Sequence, residues 1–128
     1  MPTKRVVQSF RNAVSGLSRV FRSEHNFRIQ LLCAAGALLG IAVFPLERFE
    51  IMLILLVTAL VLIMEIINSA VEYMSDLVKP RLHNYVHNVK DIMAGAVLLM
   101  SIAAAALGAY IFYPYFMDWF RYGILKAG

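Results

Sequence analysis

Three carboxylates recur at helical spacing around the end of a long apolar stretch. Glu65, Glu72 and Asp76 fall on one face of a helix that turns about 100° per residue, and Asn68 and Ser69 share that face. An ionisable side chain inside a membrane helix costs at least ~2.5–3.5 kcal/mol on insertion scales, so it usually has a function. The alternative, a helix end that has reached the lipid headgroups, suits Asp76 and, less well, Glu72. It suits Glu65 poorly, because apolar residues flank Glu65 on both sides.

Further charged residues are expected at the same depth. Glu24 stands just before the first long apolar stretch, and Lys90 and Asp91 stand just before the last one. Several acids at one depth repel one another, so we expect a divalent cation among them, and oxygen ligands favour Mg²⁺ or Ca²⁺ over zinc. Mg²⁺ usually takes one or two carboxylates and completes its shell with substrate phosphates, which indicates a nucleotide.

These residue types can support phosphoryl transfer. That reaction needs positioned reactants, a metal and basic side chains to neutralise charge, and a base for the attacking hydroxyl. Glu65, desolvated in a membrane span, is the candidate general base, and Lys90 and Arg5 are candidates for phosphate contact. The sequence contains no Walker A motif, kinase-type glycine-rich loop or Rossmann fingerprint, but phosphoryl transfer does not require one.

Two histidines allow a competing interpretation as a zinc site. His83, His87 and Asp91 lie four residues apart, and histidines at positions i and i+4 can bind zinc. Hydrogen bonding within a polar loop, or contact with a nucleotide, explains them more simply. Cys33 is the only cysteine, which excludes an intrachain disulfide and a cysteine-based zinc site.

The composition favours a membrane protein. The chain has 128 residues, enough for one domain over 1–128, and 61% of them are hydrophobic, against roughly 45–50% in soluble domains. A small soluble domain could not cover so much apolar surface. The first residues lack the apolar core of a signal peptide, so we expect no segment to be removed. The net charge of +4 comes without a zinc-finger, RNP-like or basic-zipper pattern, so we expect no nucleic-acid partner.

The apolar stretches predict an all-α membrane protein. Each is close to the roughly 20 residues that a spanning helix needs. The three predicted transmembrane helices cover about 29–46, 49–73 and 92–116.

The remaining segments predict connections and a surface helix. A short connection at 45–48 joins the first two spans, and a longer polar one at about 76–88 precedes the third, where Pro80 is expected to end a helix. Apolar residues at three- and four-residue spacing predict an amphipathic helix at about 4–25 on the bilayer surface. Gly36 and Gly40 form a GxxxG step that permits close helix packing.

The distribution of basic residues predicts the orientation. With the N-terminus and the second connection in the cytoplasm, nine of the twelve Lys and Arg residues lie on that side. Aromatic residues between Tyr110 and Phe120 fit the opposite interface. The candidate acids and Lys90 then all lie at or near the cytoplasmic boundary.

The pattern of these residues resembles the prokaryotic diacylglycerol kinase family, small integral-membrane lipid kinases that include undecaprenol kinases. The matching residues are Ser23-Glu24, then Glu65-Ile-Ile-Asn68-Ser69-Ala70-Val-Glu72 with Asp76, then His83 and Lys90-Asp91. The resemblance covers about residues 5–115. It implies a homotrimer of three-span subunits in the bacterial cytoplasmic membrane, with active sites between neighbouring subunits. The implied reaction transfers the γ-phosphate of Mg-ATP to a membrane lipid alcohol.

The resemblance also implies roles for single residues. Glu65 looks like the general base, and Asn68 looks like a polar residue beside the reacting hydroxyl. Glu24 and Glu72 look like the carboxylates that hold the metal of Mg-ATP. The residues that look like nucleotide contacts are Lys90, Asp91, Arg5 and His83, with Asp76 as a supporting residue.

The choice of lipid and two other classes of function stay open. Gln30 occupies a position that is acidic in some members and histidine in others. We expect diacylglycerol as the substrate, with undecaprenol as the alternative. A proton or cation transporter could use the same carboxylates, but it needs a polar path that the outer halves of the spans barely offer. A non-catalytic scaffold would tolerate Glu65→Gln.

Overall fold

The structure, a computed structural model, describes residues 1–123, and these form four α-helices. Residues 124–128, the end of the predicted domain, lie outside the described part. Three of the helices, α2 to α4, are long and apolar enough to cross a membrane, as predicted. The helices are α1 at Pro2–Ser23, α2 at His25–Val43, α3 at Arg48–Val78 and α4 at His83–Tyr122.

Helix α1 is amphipathic and leaves its apolar face uncovered. Pro2 stands in its first turn, where the missing N–H of proline costs nothing. Of the residues of α1, only Val20 is buried. The exposed apolar side chains, which recur at helical spacing, are Val6, Phe10, Val14, Leu17 and Phe21. The other helices of residues 1–123 therefore do not supply the surface against which this face would pack.

A single extended residue separates α1 from α2. Glu24 has φ −104° and ψ 111°, and its N–H donates to the carbonyl of Val20 at 2.8 Å. The guanidinium of Arg28 donates to the carbonyls of Phe21 at 2.9 Å and Arg22 at 3.1 Å. Carbonyls at a helix end lack partners within the helix, so Arg28 satisfies two of them and fixes the corner that holds Glu24.

The connection between α2 and α3 is short, as predicted. Helix α3 begins with a capping box, in which the Glu50 carboxylate accepts the backbone N–H of Glu47 at 2.9 Å. The hydroxyl of Tyr115 on α4 donates to the same carboxylate at 2.5 Å. These contacts join the start of α3 to the far part of α4.

The connection between α3 and α4 is shorter than the polar loop predicted over 76–88. It comprises only residues 79–82, where Pro80 lies in a turn and the carbonyl of Val78 accepts the N–H groups of Arg81 and Leu82. The polar residues that suggested a loop lie on the first turns of α4 instead. A helix that continues beyond the membrane can carry exposed polar side chains. The polarity of residues 83–88 therefore does not mean that they form a loop.

Helix α3 packs against α1, α2 and α4. Gly40 on α2 makes a close approach possible, because a Cβ atom there would lie 2.5 Å from the ring edge of Phe112 on α4. At Gly36, the other glycine of the GxxxG step, an added Cβ would meet no atom of another helix within 4 Å, among the residues that the structure describes. Of the two glycines in the GxxxG step, Gly40 therefore allows α2 to pack closely against α4 within the chain.

Candidate active site

The most deeply buried polar side chains lie on α3. Glu65 is 2% exposed and Ser69 is 1% exposed, although most large apolar side chains of the chain are accessible. The hydroxyl of Ser69 donates to the backbone carbonyl of Glu65 at 3.0 Å, so its own helix satisfies it. The Glu65 carboxylate remains available for other partners.

Glu65 has an amide partner and two acidic neighbours. Nε2 of Gln30 on α2 donates to Oε2 of Glu65 at 3.4 Å. The carboxylates of Glu24, at the corner between α1 and α2, and of Glu72, two turns along α3, lie close enough for their charges to act on Glu65. Neither ion pair within residues 1–123 involves Glu65. The charges of Glu24 and Glu72 thus act on Glu65, and none of these three acids forms an ion pair within the part of the chain that the structure describes.

Asn68 and Glu72 extend this acidic site along α3. Both are half-buried, and both stand on the same helix as Glu65. A helix fixes the relative positions of its residues, which is why the spacing alone predicted that they would share a face. The amide of Asn68 adds a neutral donor and acceptor beside the acids.

The acids match what a nucleotide-bound Mg²⁺ requires of a protein. Glu24 and Glu72 offer oxygen ligands only, and Mg²⁺ normally takes one or two protein carboxylates and fills its other positions with phosphate oxygens and water. Within residues 1–123 no group of three or more His, Cys, Asp or Glu side chains is placed to hold a metal by itself. Two carboxylates are enough to hold a Mg²⁺ whose other ligands are phosphate oxygens and water.

Lys90 joins the start of α4 to the acidic face of α3. Its Nζ lies 3.0 Å from Oδ1 of Asp76, and Lys90 is half-buried while Asp76 is exposed. Asp76 follows Glu72 by one turn of α3, so the ion pair holds Lys90 near that end of the acidic site, away from the apolar part of α3. A cation in this position can contact phosphates that bind at the acids.

The other predicted nucleotide contacts are not gathered at Glu65 by the single chain. Asp91 pairs with His87 on the preceding turn of α4, at 3.4 Å between Oδ2 and Nε2, and both are largely exposed. His83 is exposed at the first position of α4. Arg5 lies near the start of α1, about 28 Å from Glu24 along a helix that rises 1.5 Å per residue.

Gln30 is a site residue whose contact with Glu65 was not predicted from the sequence. It is the only polar side chain in the first predicted span, and it stands at the depth predicted for Glu65. A lone amide in an apolar helix is itself a signal, because a buried amide requires a hydrogen-bond partner. The partner could not be named from the sequence, since it lies on another helix.

Comparison with known proteins identifies the family. The model of the prokaryotic diacylglycerol kinase family matches residues 11–112. A diacylglycerol kinase from Synechocystis is 36% identical over 107 residues, which cover 83% of this chain and 61% of the relative. An undecaprenol kinase from Bacillus subtilis is 30% identical over 110 residues, which cover 86% of this chain and 89% of the relative.

The chain thus spans less than two thirds of the Synechocystis relative and nearly all of the Bacillus one. The family model matches most of the chain, including all the residues of the acidic site, whereas Arg5 lies outside the matched range. Together with the three apolar helices, this match identifies a membrane protein. The chain belongs to the prokaryotic diacylglycerol kinase family, a family of lipid kinases whose reaction depends on a nucleotide.

Proposed function

We propose that this chain transfers the γ-phosphate of Mg-ATP to the hydroxyl of a membrane lipid alcohol. The observation that carries the proposal is a carboxylate, Glu65, which is 2% exposed on a helix able to cross a membrane. A buried carboxylate without a basic partner is costly, so its presence indicates a function. Membership of the lipid kinase family supports the same reaction.

Glu65 is the proposed general base. It accepts the proton of the lipid hydroxyl while the hydroxyl oxygen attacks the γ-phosphorus. The new bond joins that oxygen to phosphorus, and the bond between the γ-phosphorus and the bridging oxygen breaks, so that ADP leaves with the electron pair. Asn68, one turn from Glu65, is placed to orient the hydroxyl by hydrogen bonding.

Glu24 and Glu72 are the proposed ligands for Mg²⁺. When bound, the metal neutralises charge on the phosphates. Lys90 contacts the phosphates, and Asp76 supports it through their 3.0 Å ion pair. The further nucleotide contacts proposed are Asp91, His83 and Arg5.

A homotrimer with sites between subunits accounts for the scattered contacts. Within one chain, Arg5 stands about 28 Å from Glu24 along α1, so it cannot reach a nucleotide bound at its own acids without a change of fold. A neighbouring subunit could supply it. This arrangement also gives the exposed apolar side chains of α2 to α4 a protein surface in addition to lipid.

The proposed location is the bacterial cytoplasmic membrane, with the N-terminus and the active site on the cytoplasmic side. The uncovered apolar face of α1 suits a helix lying on the bilayer surface, and its arginines suit anionic headgroups. The excess of Lys and Arg at the N-terminus and around the connection from α3 to α4 supports this orientation.

Diacylglycerol is the proposed substrate, which would yield phosphatidic acid. The Synechocystis relative is named a diacylglycerol kinase, and its sequence identity to this chain, 36%, is higher than the 30% of the Bacillus undecaprenol kinase. Undecaprenol is the second candidate, because the chain covers 89% of the undecaprenol kinase and thus matches it in length.

The proposal is tested with purified protein in mixed micelles that contain Mg²⁺, γ-labelled ATP and either diacylglycerol or undecaprenol. We expect label on a lipid, and a kcat lower by about 10²–10⁴-fold in Glu65→Gln, because that change removes the base. Asp118→Asn is the matched control, since it neutralises an exposed acid near the other end of α4. It should leave kcat unchanged.

Each outcome has a distinct meaning. Wild-type protein that labels neither lipid contradicts the proposed function. Full activity in Glu65→Gln contradicts the assignment of the base and favours another carboxylate. Label on one lipid only identifies the substrate.

A further inference from the structure

Glu24 and Arg28 stand at the spacing at which an acid and a base often pair. Glu24 immediately precedes α2, and Arg28 lies in the first turn of that helix, four residues later. A glutamate four residues before a basic residue is the favourable order for an ion pair along a helix. The two ion pairs within residues 1–123 nevertheless join other side chains, so Arg28 does not neutralise Glu24.

The backbone of α1 occupies the guanidinium of Arg28 instead. Its Nη1 donates to the carbonyls of Phe21 and Arg22, at 2.9 Å and 3.1 Å. These carbonyls belong to the last turn of α1, where no N–H group of the helix remains to pair with them and where the helix dipole favours a cation. A side chain of α2 thus ties down the end of α1 across the single residue that separates the two helices.

The Glu24 carboxylate is left without a strong partner in its surroundings. It makes no capping hydrogen bond to α2, although Glu24 stands at the N-cap position of that helix. Its one side-chain hydrogen bond within residues 1–123 comes from the hydroxyl of Ser23, at the long distance of 3.5 Å. On the two sides of the corner, Val20 of α1 and Phe27 of α2 are buried. The fold therefore fixes the backbone of Glu24 and leaves its oxygens available for a ligand.

We propose that Arg28 is a positioning residue for Glu24, the proposed ligand of Mg²⁺. This inference rests on the proposed kinase function and adds a residue that acts on the metal site from outside it. By donating to the end of α1, Arg28 holds the corner in place and keeps its own charge away from the carboxylate. If Arg28 paired with Glu24 instead, Mg²⁺ would have to break an ion pair before it could bind.

The test measures metal binding without turnover. Purified protein in detergent micelles is dialysed against Mn²⁺ and the non-hydrolysable ATP analogue adenylyl imidodiphosphate, and bound Mn²⁺ is quantified by electron paramagnetic resonance. Loss of a residue that orients a metal ligand typically costs about 10–100-fold in metal affinity. We expect a loss of that size in Arg28→Met, which removes both hydrogen bonds to α1. Arg28→Lys should lose at least as much, because the shorter lysine keeps a charge that can pair with Glu24.

The lysine variant distinguishes positioning from direct contact. If the charge of Arg28 contacted a phosphate, Arg28→Lys would keep most of the affinity for Mn²⁺ that Arg28→Met loses, and the inference would be overturned. If Arg28 only stabilised the fold, both variants would unfold at lower temperature but bind Mn²⁺ like wild type, which would also overturn it. The matched controls are Arg121→Met and Arg121→Lys, at an exposed arginine near the far end of α4. Both should bind Mn²⁺ like wild type.

A double variant tests whether Arg28 acts through Glu24. Glu24→Gln alone should weaken the binding of Mn²⁺, and the addition of Arg28→Lys should weaken it no further, because the carboxylate on which Arg28 acts is already gone. A further loss of affinity would overturn the inference. This comparison needs only the conservative change at Arg28, so it stands even where Arg28→Met does not fold.

Lipid phosphorylation by the same proteins separates this inference from the function on which it rests. Wild-type affinity for Mn²⁺ in the Arg28 variants, with an active wild type, overturns the inference alone. A wild type that phosphorylates no lipid, but whose binding of Mn²⁺ still depends on Arg28, contradicts only the proposed kinase function. A wild type that binds no Mn²⁺ with the nucleotide analogue contradicts both.

Discussion

Among single residues, the ion pair between Asp76 and Lys90 connects the acidic helix α3 to α4. The side chains are 62% and 32% exposed, so water screens their attraction, and such pairs contribute at most about 1 kcal/mol to stability. The pair is therefore better suited to placing Lys90 than to holding the helices together. A lysine held loosely by one carboxylate is free to move to a phosphate when a nucleotide binds.

This interpretation predicts how variants of the two residues combine. Lys90→Met should raise the KM for ATP by about tenfold, because one charge-assisted contact to phosphate is lost. Asp76→Asn should raise the KM for ATP less, since Lys90 remains but no carboxylate holds it in place. The double variant should be no worse than Lys90→Met alone, because Asp76 acts through Lys90. Steady-state kinetics at varied ATP measure all three.

Thermal unfolding of the same proteins provides the control. Each variant should lose no more than about 1 kcal/mol of stability, as expected for an exposed pair. Independent, additive effects on the KM for ATP in the double variant would show that Asp76 has a separate role, such as a metal ligand.

The sequence could group residues of one helix but not residues of different helices. The spacing of Glu65, Ser69 and Glu72 was enough to predict their common face, because helix geometry fixes it. The contact of Gln30 with Glu65 depends on how α2 packs against α3, and no local pattern encodes that. The same reason explains why the pairing of Lys90 with Asp76, rather than with a phosphate, was not predicted.

For the helices, the sequence predicted the apolar cores better than the ends. Hydropathy identified α2, α3 and α4, because each must present apolar side chains to lipid. It placed the last helix at about 92–116, whereas α4 begins at His83 and ends at Tyr122. The length of an apolar stretch depends on the thickness of the bilayer. The end of a helix depends instead on capping residues, proline or glycine, which can lie beyond the bilayer. Here the turn around Pro80 and the left-handed Gly123, with φ 64°, lie at the two ends.

The packing of α2 on α4 leads to a prediction for the two glycines of α2. Gly40→Ala places a methyl group 2.5 Å from the ring edge of Phe112, so that ring must turn away. Gly36→Ala meets no atom of another helix within 4 Å over residues 1–123, and the variant should gain up to about 1 kcal/mol of stability from helix propensity. Gly40→Ala should therefore be about 1–3 kcal/mol less stable than Gly36→Ala.

Thermal unfolding in detergent measures this difference. Phe112→Leu combined with Gly40→Ala is the control, since removing the ring edge should recover part of the loss. A loss of equal size in Gly36→Ala would show instead that Gly36 packs against another subunit.

For the whole molecule, the distribution of charge predicts which ends of the helices share a side of the membrane. Single cysteines are introduced into a Cys33→Ser background at three exposed positions, as Ser9→Cys, Asn84→Cys and Asp118→Cys. A thiol reagent that cannot cross the membrane should label Asp118→Cys in intact bacteria. It should label the other two only after the membrane is opened.

Labelling of Ser9→Cys and Asn84→Cys under different conditions would contradict the proposed site. Glu24, at the end of α1, and Lys90, at the start of α4, would then lie on opposite sides of the bilayer. A nucleotide could not contact both.

The distance of Arg5 from the acids of its own chain leads to a test of the proposed trimer. Arg5→Ala and Glu65→Gln should each have low activity at limiting ATP. If a site takes Arg5 from one subunit and Glu65 from its neighbour, mixed trimers contain some sites in which both residues are intact. Random mixing in equal amounts gives about a quarter of such sites, so activity should recover to about that fraction of wild type.

A second mixture is the control, because the charge of Glu24 acts on Glu65 of the same chain, which places both acids in one subunit's site. Every site in a mixture of Glu24→Gln and Glu65→Gln lacks one of these two carboxylates, so no activity should return. Recovery in this second mixture would mean that the acids of one site come from different chains. Failure of the first mixture to recover would mean that Arg5 does not serve a neighbouring site, and the exposed start of α1 would then act as a membrane anchor only.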